Sequence, residues 1–333
     1  MSLNEETLIV IDYDLIHKDS IIIDGHCDSL GRVLEGQRHL GEHSKIGQFD
    51  LPRAIQGGLT VELMATFFND PLSGTGVRQT LQFIDVFYQE LESNSDLAIQ
   101  ILTVNDIYAA KKAGKVGLML SMEGAEGFEG DLRMLRCYYR LGLRCLGITW
   151  NRRNEAADGM DERFTGGGLT RFGKQMVMEC EKLGIVLDLA HLAPKGVDDV
   201  LQMVKNPVIV THANAHALWP HQRNLTDSQL EQIARINGVV GVVPAPPFMG
   251  EDKNINHINI LLDHVDHMVK VMGIDCVGFG GDFDGLEDMR VTGIEDVSCL
   301  PNFTKGLFER GYSAEGIKKI LGGNYLRVFE EVL

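Results

Sequence analysis

Short apolar and β-branched runs recur along the chain, each followed by a longer stretch with helical periodicity. Eight such runs stand out: Ile21–Asp24, Val61–Phe67, Val116–Ser121, Cys145–Thr149, Ile185–Leu189, Pro207–Val210, Val239–Val243 and Cys276–Phe279. Several are continuously apolar rather than alternating, as strands buried on both faces of a parallel sheet are. Between them, Asp131–Leu141 repeats Leu132, Leu135, Tyr138 and Tyr139 at helical spacing, and Gly173–Leu183 repeats Met176, Cys180 and Leu183. A third helix is predicted over Asp227–Ile236, with Asp227 or Thr226 as its N-cap. Eight strands alternating with helices predict an α/β fold of the (β/α)8 TIM-barrel type. A doubly wound sheet is the competing arrangement. Its Gly-rich phosphate loop is missing, because Gly25-His26-Cys27-Asp28 follows the first strand.

The 333 residues suit one barrel or two smaller domains. No Pro-rich linker or low-complexity tract divides them, so residues 1–333 are read as a single barrel domain with residues 1–20 as an N-terminal appendage. Lys and Arg number 31 against 47 Asp and Glu, a formal charge of −16. That balance argues against nucleic acid and against an anionic membrane surface as partners. There is no basic start with an apolar signal core, and no uncharged apolar run of ~18 residues to span a bilayer. The six cysteines (Cys27, Cys137, Cys145, Cys180, Cys276 and Cys299) are scattered without a CxxC pair. They read as reduced thiols of a cytoplasmic protein, with Cys145 and Cys276 in the core.

Polar residues collect immediately after the predicted strands. His26 and Asp28 follow the first, Glu123 the third, His191 the fifth, His212 the sixth and Asp282 the eighth. In a barrel these strand ends converge on one mouth, where barrel enzymes keep their active sites. His26 and Asp28 are two apart, so on extended backbone both point the same way and Cys27 points elsewhere. Three His with two or three carboxylates suit Zn²⁺, with Mn²⁺, Co²⁺ or Fe²⁺ as substitutes. Five ligands exceed what one catalytic zinc takes, and with one carboxylate shared they suit two metals ~3.5–4 Å apart. Taken singly, Asp28 and Asp282 also read as helix caps and Glu123 as a solvated loop carboxylate. His216 and His221 read as loop or helix-surface residues. Asp263, His264 and His267 read as one amphipathic helix, with the Asp263/His267 pair on its solvated face. Gly166-Gly167-Gly168 is a flexible loop, since no Lys-Ser/Thr follows it.

At these residues the sequence resembles the renal or membrane dipeptidase family of zinc peptidases (family M19), a branch of the amidohydrolase-like barrels, and its bacterial members in particular. The matching motifs run in order: Asp24-Gly25-His26-Cys27-Asp28, Phe49-Asp50-Leu51-Pro52-Arg53, Met122-Glu123-Gly124, Tyr139-Arg140-Leu141-Gly142-Leu143-Arg144 and Gly168-Leu169-Thr170. Then come Asp188-Leu189-Ala190-His191, Thr211-His212-Ala213, Arg223-Asn224, Gly278-Phe279-Gly280-Gly281-Asp282-Phe283-Asp284-Gly285 and Gly322-Gly323-Asn324-Tyr325-Leu326-Arg327-Val328. Together they cover roughly residues 20–331.

The resemblance implies two zinc ions per chain: His26 and Asp28 on one, His191 and His212 on the other, and Glu123 bridging. Glu126 competes for the bridge, but the spacing to Leu135-Arg136 fits Glu123. It implies that Arg223 holds the terminal carboxylate of a small dipeptide. It also implies that Asp282 takes the proton of a metal-bridged hydroxide's parent water and returns it to the leaving amine. Membrane-anchored animal members carry a substrate-contacting His after the fourth strand; here Trp150 follows Leu146-Gly147-Ile148-Thr149, and becomes a candidate to wall the pocket or to donate its indole N–H. The implied activity is hydrolysis of dipeptides with a free C-terminus, L-Xaa-D-Xaa pairs among them, by a homodimeric enzyme. The rival readings are a barrel amidohydrolase acting on a non-peptide amide or lactone, and a non-catalytic zinc-stabilised binding protein.

Overall fold

The computed structural model describes residues 12–68, 75–250, 257–286 and 289–333. Nine parallel strands form one sheet: β1 (Ile23–Cys27), β2 (Val61–Phe67), β3 (Ala98–Gln100), β4 (Val116–Glu123), β5 (Leu143–Gly147), β6 (Val186–Asp188), β7 (Ile209–Val210), β8 (Val239–Val242) and β9 (Val277–Phe279). The hydrogen-bonded order runs β2-β1-β9-β8-β7-β6-β5-β4, and β2 pairs β4 from Val61↔Gly117 to Phe67↔Glu123. Eight strands therefore close into the expected barrel. The ninth, β3, pairs only with the first residues of β4, Ala98↔Val116 to Gln100↔Leu118, beside the stretch where β5 takes over. Three residues are too few to show periodicity, so this strand has no signature in the sequence.

The predicted runs fall on the eight ring strands with shifted ends. β1 runs on to Cys27 and β4 to Glu123, so His26 and Glu123 are strand residues rather than the first loop residues. The predicted helices form at Leu132–Arg140, Arg171–Leu183 and Asp227–Arg235. Thr226 caps the last of these: its hydroxyl accepts from Gln229 N while the Gln229 side chain returns to Thr226 N. At the other end of the chain, the helix Tyr13–Asp19 is tied to the barrel through His17. Its two ring nitrogens bond Thr304 Oγ1 at 2.7 Å and Gly57 O at 2.9 Å.

Two apolar layers hold the ring. Outside it, Leu30, Phe87, Phe128, Tyr138, Met176, Leu261 and Phe303 pack helices against strands. Inside it, the first residues of the strands (Ile23, Val61, Val186, Ile209 and Val239) meet Tyr325, Val328 and Phe329 of the C-terminal helix Asn324–Val332. Tyr325 fills the amino-terminal end of the barrel, and three strands make room for it with glycine. A Cβ would lie 2.6 Å from its hydroxyl at Gly25, 2.5 Å at Gly241, and 2.5 Å from its ring at Gly278. The carboxyl-terminal end stays open.

One outward-facing side chain is a liability. Glu62 on β2 stands in register with Asp24 on β1, is fully buried, and neither of its carboxylate oxygens has a hydrogen-bond partner. Burial raises its carboxyl well above the usual range, and the charge of Asp24 raises it further. The unfolded chain loses this proton in the ordinary carboxyl range, whereas the folded chain keeps it. Stability from this group is therefore complete at acid pH and is lost as pH rises toward the raised folded value. Glu62→Gln keeps the shape without the ionisation. It should narrow the difference in Tm between about pH 5.5 and about pH 8.5 by a few degrees, as a change of about 1 kcal/mol does in a protein of this size, read by thermal melts at both pH values.

Candidate metal centre

The open end of the ring collects the polar residues that the sequence places at strand ends. The β1–β2 register slips between Asp24 and Cys27, a bulge-like irregularity that re-aims the end of β1. Asp24 Oδ1 then accepts from Gly281 N at 2.5 Å and from His26 N at 3.2 Å. Beyond the last strand residues the two ends stay laced together, with Asp28 N donating to Phe283 O at 2.9 Å and Asp282 N to His26 O at 3.0 Å. His26, Asp28 and Asp282 are thereby held side by side. Asp28 occupies the N-cap position of the helix Ser29–Leu34, yet its side chain makes no capping bond and is free for other use. Asp282, at φ 49°, sits in a left-handed turn.

Glu123 Oε1 is the centre of the cluster. It lies 2.9 Å from His191 Nε2, 3.8 Å from His26 Nε2 and 3.8 Å from His212 Nε2. His26 Nε2 is 3.4 Å from Asp28 Oδ2, and the Nε2 atoms of His191 and His212 are 2.9 Å apart. Three groupings have donor atoms within 4.8 Å of one another: His26–Asp28–Glu123, Glu123–His191–His212 and His26–His212–Asp282. The donor set fits a metal. His26 Nε2 and Asp28 Oδ1 are buried without hydrogen-bond partners, pointing into a space ringed by nitrogen and carboxylate oxygen. Glu126, the competing bridge, belongs to none of these groupings and lies against Gly124.

The electrostatics favour positive charge here. Burial raises the Glu123 carboxyl well above the usual range, with Asp28 and Asp282 adding repulsion. Asp282 is pushed up to about 7, by burial and then by Asp28. Burial by itself lowers His26, but Glu123 and Asp28 outweigh it and raise the imidazole to about 10. His191 and His212 go the other way, held well below the usual range by burial and by the positive charges of Arg223 and His26. Their second nitrogens are bonded: His191 Nδ1 to Asn151 Oδ1 at 2.7 Å, and His212 Nδ1 to Thr211 Oγ1 at 2.8 Å. Thr211 in turn donates to Asp188 Oδ2 at 2.7 Å.

Above the cluster lies a cleft of about 560 Å³. Arg223, 5% exposed, lines it with an unpartnered Nε, and its Nη2 donates to His212 O at 3.4 Å. Its guanidinium sits 5.7 Å from the Phe248 ring. Trp150 forms part of the opposite wall, edge-to-face with Phe67 at 4.8 Å and 6.2 Å from the His191 ring. His221, read from sequence as an ordinary loop or surface histidine, also lines the cleft and stacks on Phe248 at 4.7 Å. The other histidines stay outside it. His264 is buried and accepts from Ala215 N, His267 pairs with Asp227, and Asp263 pairs with Arg310. The sequence reading missed Phe67, Phe248, Asn151 and the Thr211–Asp188 pair. The last two had a signal, since polar residues beside ligand candidates are where the partners of a ligand's other nitrogen are found.

Comparisons with known proteins place the chain in a family. Residues 12–333 match the membrane dipeptidase family, peptidase family M19. Dipeptidase tcpJ of Claviceps purpurea is 31% identical over 296 residues, 86% of this chain and 69% of the relative. A metallopeptidase of Rhodobacter sphaeroides, solved with a phosphinate mimic of the dipeptide L-Ala-D-Ala, superposes with a TM-score of 0.87 at 30% identity, covering 95% of this chain and 100% of that one. The M19 metallopeptidase dipeptidase AC gives 0.87 at 31% identity, over 94% and 98%. The chain belongs to the membrane dipeptidase family, peptidase family M19, and is a metallo-dipeptidase.

Proposed function

We propose that this protein is a zinc-dependent dipeptidase for substrates with a free C-terminal carboxylate, including L-Xaa-D-Xaa dipeptides. The observation that carries the reading is one Glu123 oxygen lying among His26, His191 and His212, with Arg223 in the cleft above. In this reading His26 and Asp28 hold one zinc, His191 and His212 a second, and Glu123 both. The relative solved with an L-Ala-D-Ala mimic supports the stereochemistry. We also take the chain as one barrel domain with residues 1–20 as an appendage. Its six free thiols support a cytoplasmic setting.

Zinc, when bound, lowers the pKa of a water and polarises a carbonyl oxygen. The protein's own groups supply the rest. Arg223 presents a planar fork of donors to the substrate's terminal carboxylate, which places the preceding peptide bond over the cluster. An internal peptide bond has no carboxylate at that position, so the site favours the bond next to a free C-terminus over internal bonds. Asp282, held beside His26 and His212 at the mouth of the ring, is the carboxylate placed to take a proton and return it to the departing amine. Trp150, Phe67 and Phe248 exclude water, which strengthens each of these interactions.

Chelation should abolish hydrolysis of L-Ala-D-Ala and L-Ala-L-Ala, and two equivalents of zinc per chain should restore it. Metal content measured alongside ninhydrin or amino-acid assays tests this, and full activity in metal-free protein would sink the proposal. Arg223→Ala should lower kcat/KM on dipeptides by about 10²-fold, since it removes one partner of a buried charge pair. A dipeptide amide, which lacks the carboxylate, should be an equally poor substrate for wild type and variant. Asp282→Asn should instead act on kcat, by about 10²–10⁴-fold. Steady-state kinetics on both substrates separates the two.

A further inference from the structure

We propose that Asn151 is a positioning residue that fixes which nitrogen of His191 faces the metal centre. This role rests on the metal-dependent reading above and concerns a residue outside its ligand and substrate set. His191 is not aimed by its own strand. β6 ends at Asp188, and His191 lies in a left-handed turn beyond it, at φ 64°. No side chain of its own loop reaches its Nδ1; the partner comes from the loop after β5, where Asn151 Oδ1 lies 2.7 Å away. That same loop grips the backbone on the far side of His191. Gly159 and Leu192 pair as an antiparallel bridge, and Ala193 N donates to Asp158 O at 3.0 Å. The loop also holds Asn151 itself, through Asp161 N to Asn151 O at 2.8 Å. Gly159 permits this fold, because a Cβ there would collide with the carbonyl oxygens of Trp150 and Asn151.

The chemistry gives the contact its meaning. His191 Nε2 is the atom beside Glu123 Oε1. A metal takes the unprotonated nitrogen of a neutral imidazole, so the single N–H must be on Nδ1 and its partner must accept. The carbonyl end of the Asn151 amide accepts. The amino end would donate to Nδ1 and drive the proton onto Nε2, where it blocks the metal. His212 is secured differently: its Nδ1 bonds the adjacent Thr211, which passes the contact to the Asp188 carboxylate. His191 depends on a neutral amide carried by another loop.

Asn151 is only half-buried, so Asn151→Ala leaves no deep cavity. The measurement is zinc affinity by competition with a chromophoric chelator, on wild type, Asn151→Ala and Asn151→Asp, with melting of each metal-free protein in parallel. Asn151→Ala should bind zinc about 10–100-fold more weakly, as other losses of a ligand's outer partner do. Its kcat on a dipeptide should fall, its KM should change little, and its metal-free Tm should match wild type. Asn151→Asp, which can only accept, should recover the affinity. Wild-type zinc affinity in Asn151→Ala, or Asn151→Asp binding as weakly as Asn151→Ala, overturns the role. A lowered metal-free Tm with unchanged zinc affinity also overturns it, since the contact would then serve the fold alone. A wild-type chain that takes up no zinc is a separate result and overturns the metal reading itself.

Discussion

Carboxylates crowded into one partly buried space repel one another unless positive charge lies among them. Asp28, Glu123 and Asp282 are in that position, and the rest of the active end is organised around it. The closed ring brings β1, β4 and the turn after β9 to one mouth. The lacing of Asp28 N to Phe283 O and Asp282 N to His26 O then fixes two of the carboxylates beside the histidine that separates them from the third. Among the described residues, His26 and Arg223 offset this charge, and His26 is raised to about 10 by doing so. In the proposed reading, a divalent cation held there would do the same work and would free His26 to be a neutral ligand. The chain's overall −16 carries none of this information, because surface charge and these few inward carboxylates count alike in a sum.

The barrel separates two demands between its ends. At the amino-terminal end Tyr325 fills the ring against Gly25, Gly241 and Gly278, and Val328 and Phe329 pack with it against the first residues of the strands. The glycines there are a matter of volume, since none of the three has a positive φ. At the carboxyl-terminal end the ring is left unfilled, and polar atoms without partners are tolerated at His26, Asp28 and Arg223. Packing at one end supplies the rigidity that lets the other hold poorly satisfied groups in fixed positions.

How much of this was legible in the sequence follows the same division. The eight ring strands could be read because strands buried on both faces are continuously apolar. The reading slipped where packing or chemistry interrupts that pattern: Gly25 makes room for Tyr325, so β1 looks finished at Asp24 although it continues to Cys27. That these residues gather in one place was legible only jointly, because each alone has an ordinary use as a cap or loop residue, whereas the ends of parallel barrel strands share one mouth. The cleft walls were not. Phe67 sits inside a strand like any apolar residue, Phe248 reaches the cleft from the short helix Pro246–Met249, and His221 from a loop, along paths no local pattern specifies. Glu62 was missed for the opposite reason, since a single acid within an apolar strand gives no hint that it will find no partner.

Trp150 stands where the resemblance to the animal dipeptidases leads one to expect a histidine, and its surroundings give an indole there a physical sense. The residue stands edge-to-face on Phe67 and close to the His191 ring, so it makes that side of the cleft apolar. An imidazole there would add a second titratable group near the reacting atoms. With an indole in its place, Asp282 is left as the proton carrier of the proposed reaction and Arg223 as the polar group that holds the substrate. An apolar wall compensates in part, because excluding water lowers the local dielectric and strengthens the interactions that remain. The next residue, Asn151, then serves the site through His191 rather than through the substrate. On this account the segment after β5 lines the cleft with Trp150 and Asn151 and also supports His191 through the Asn151 amide.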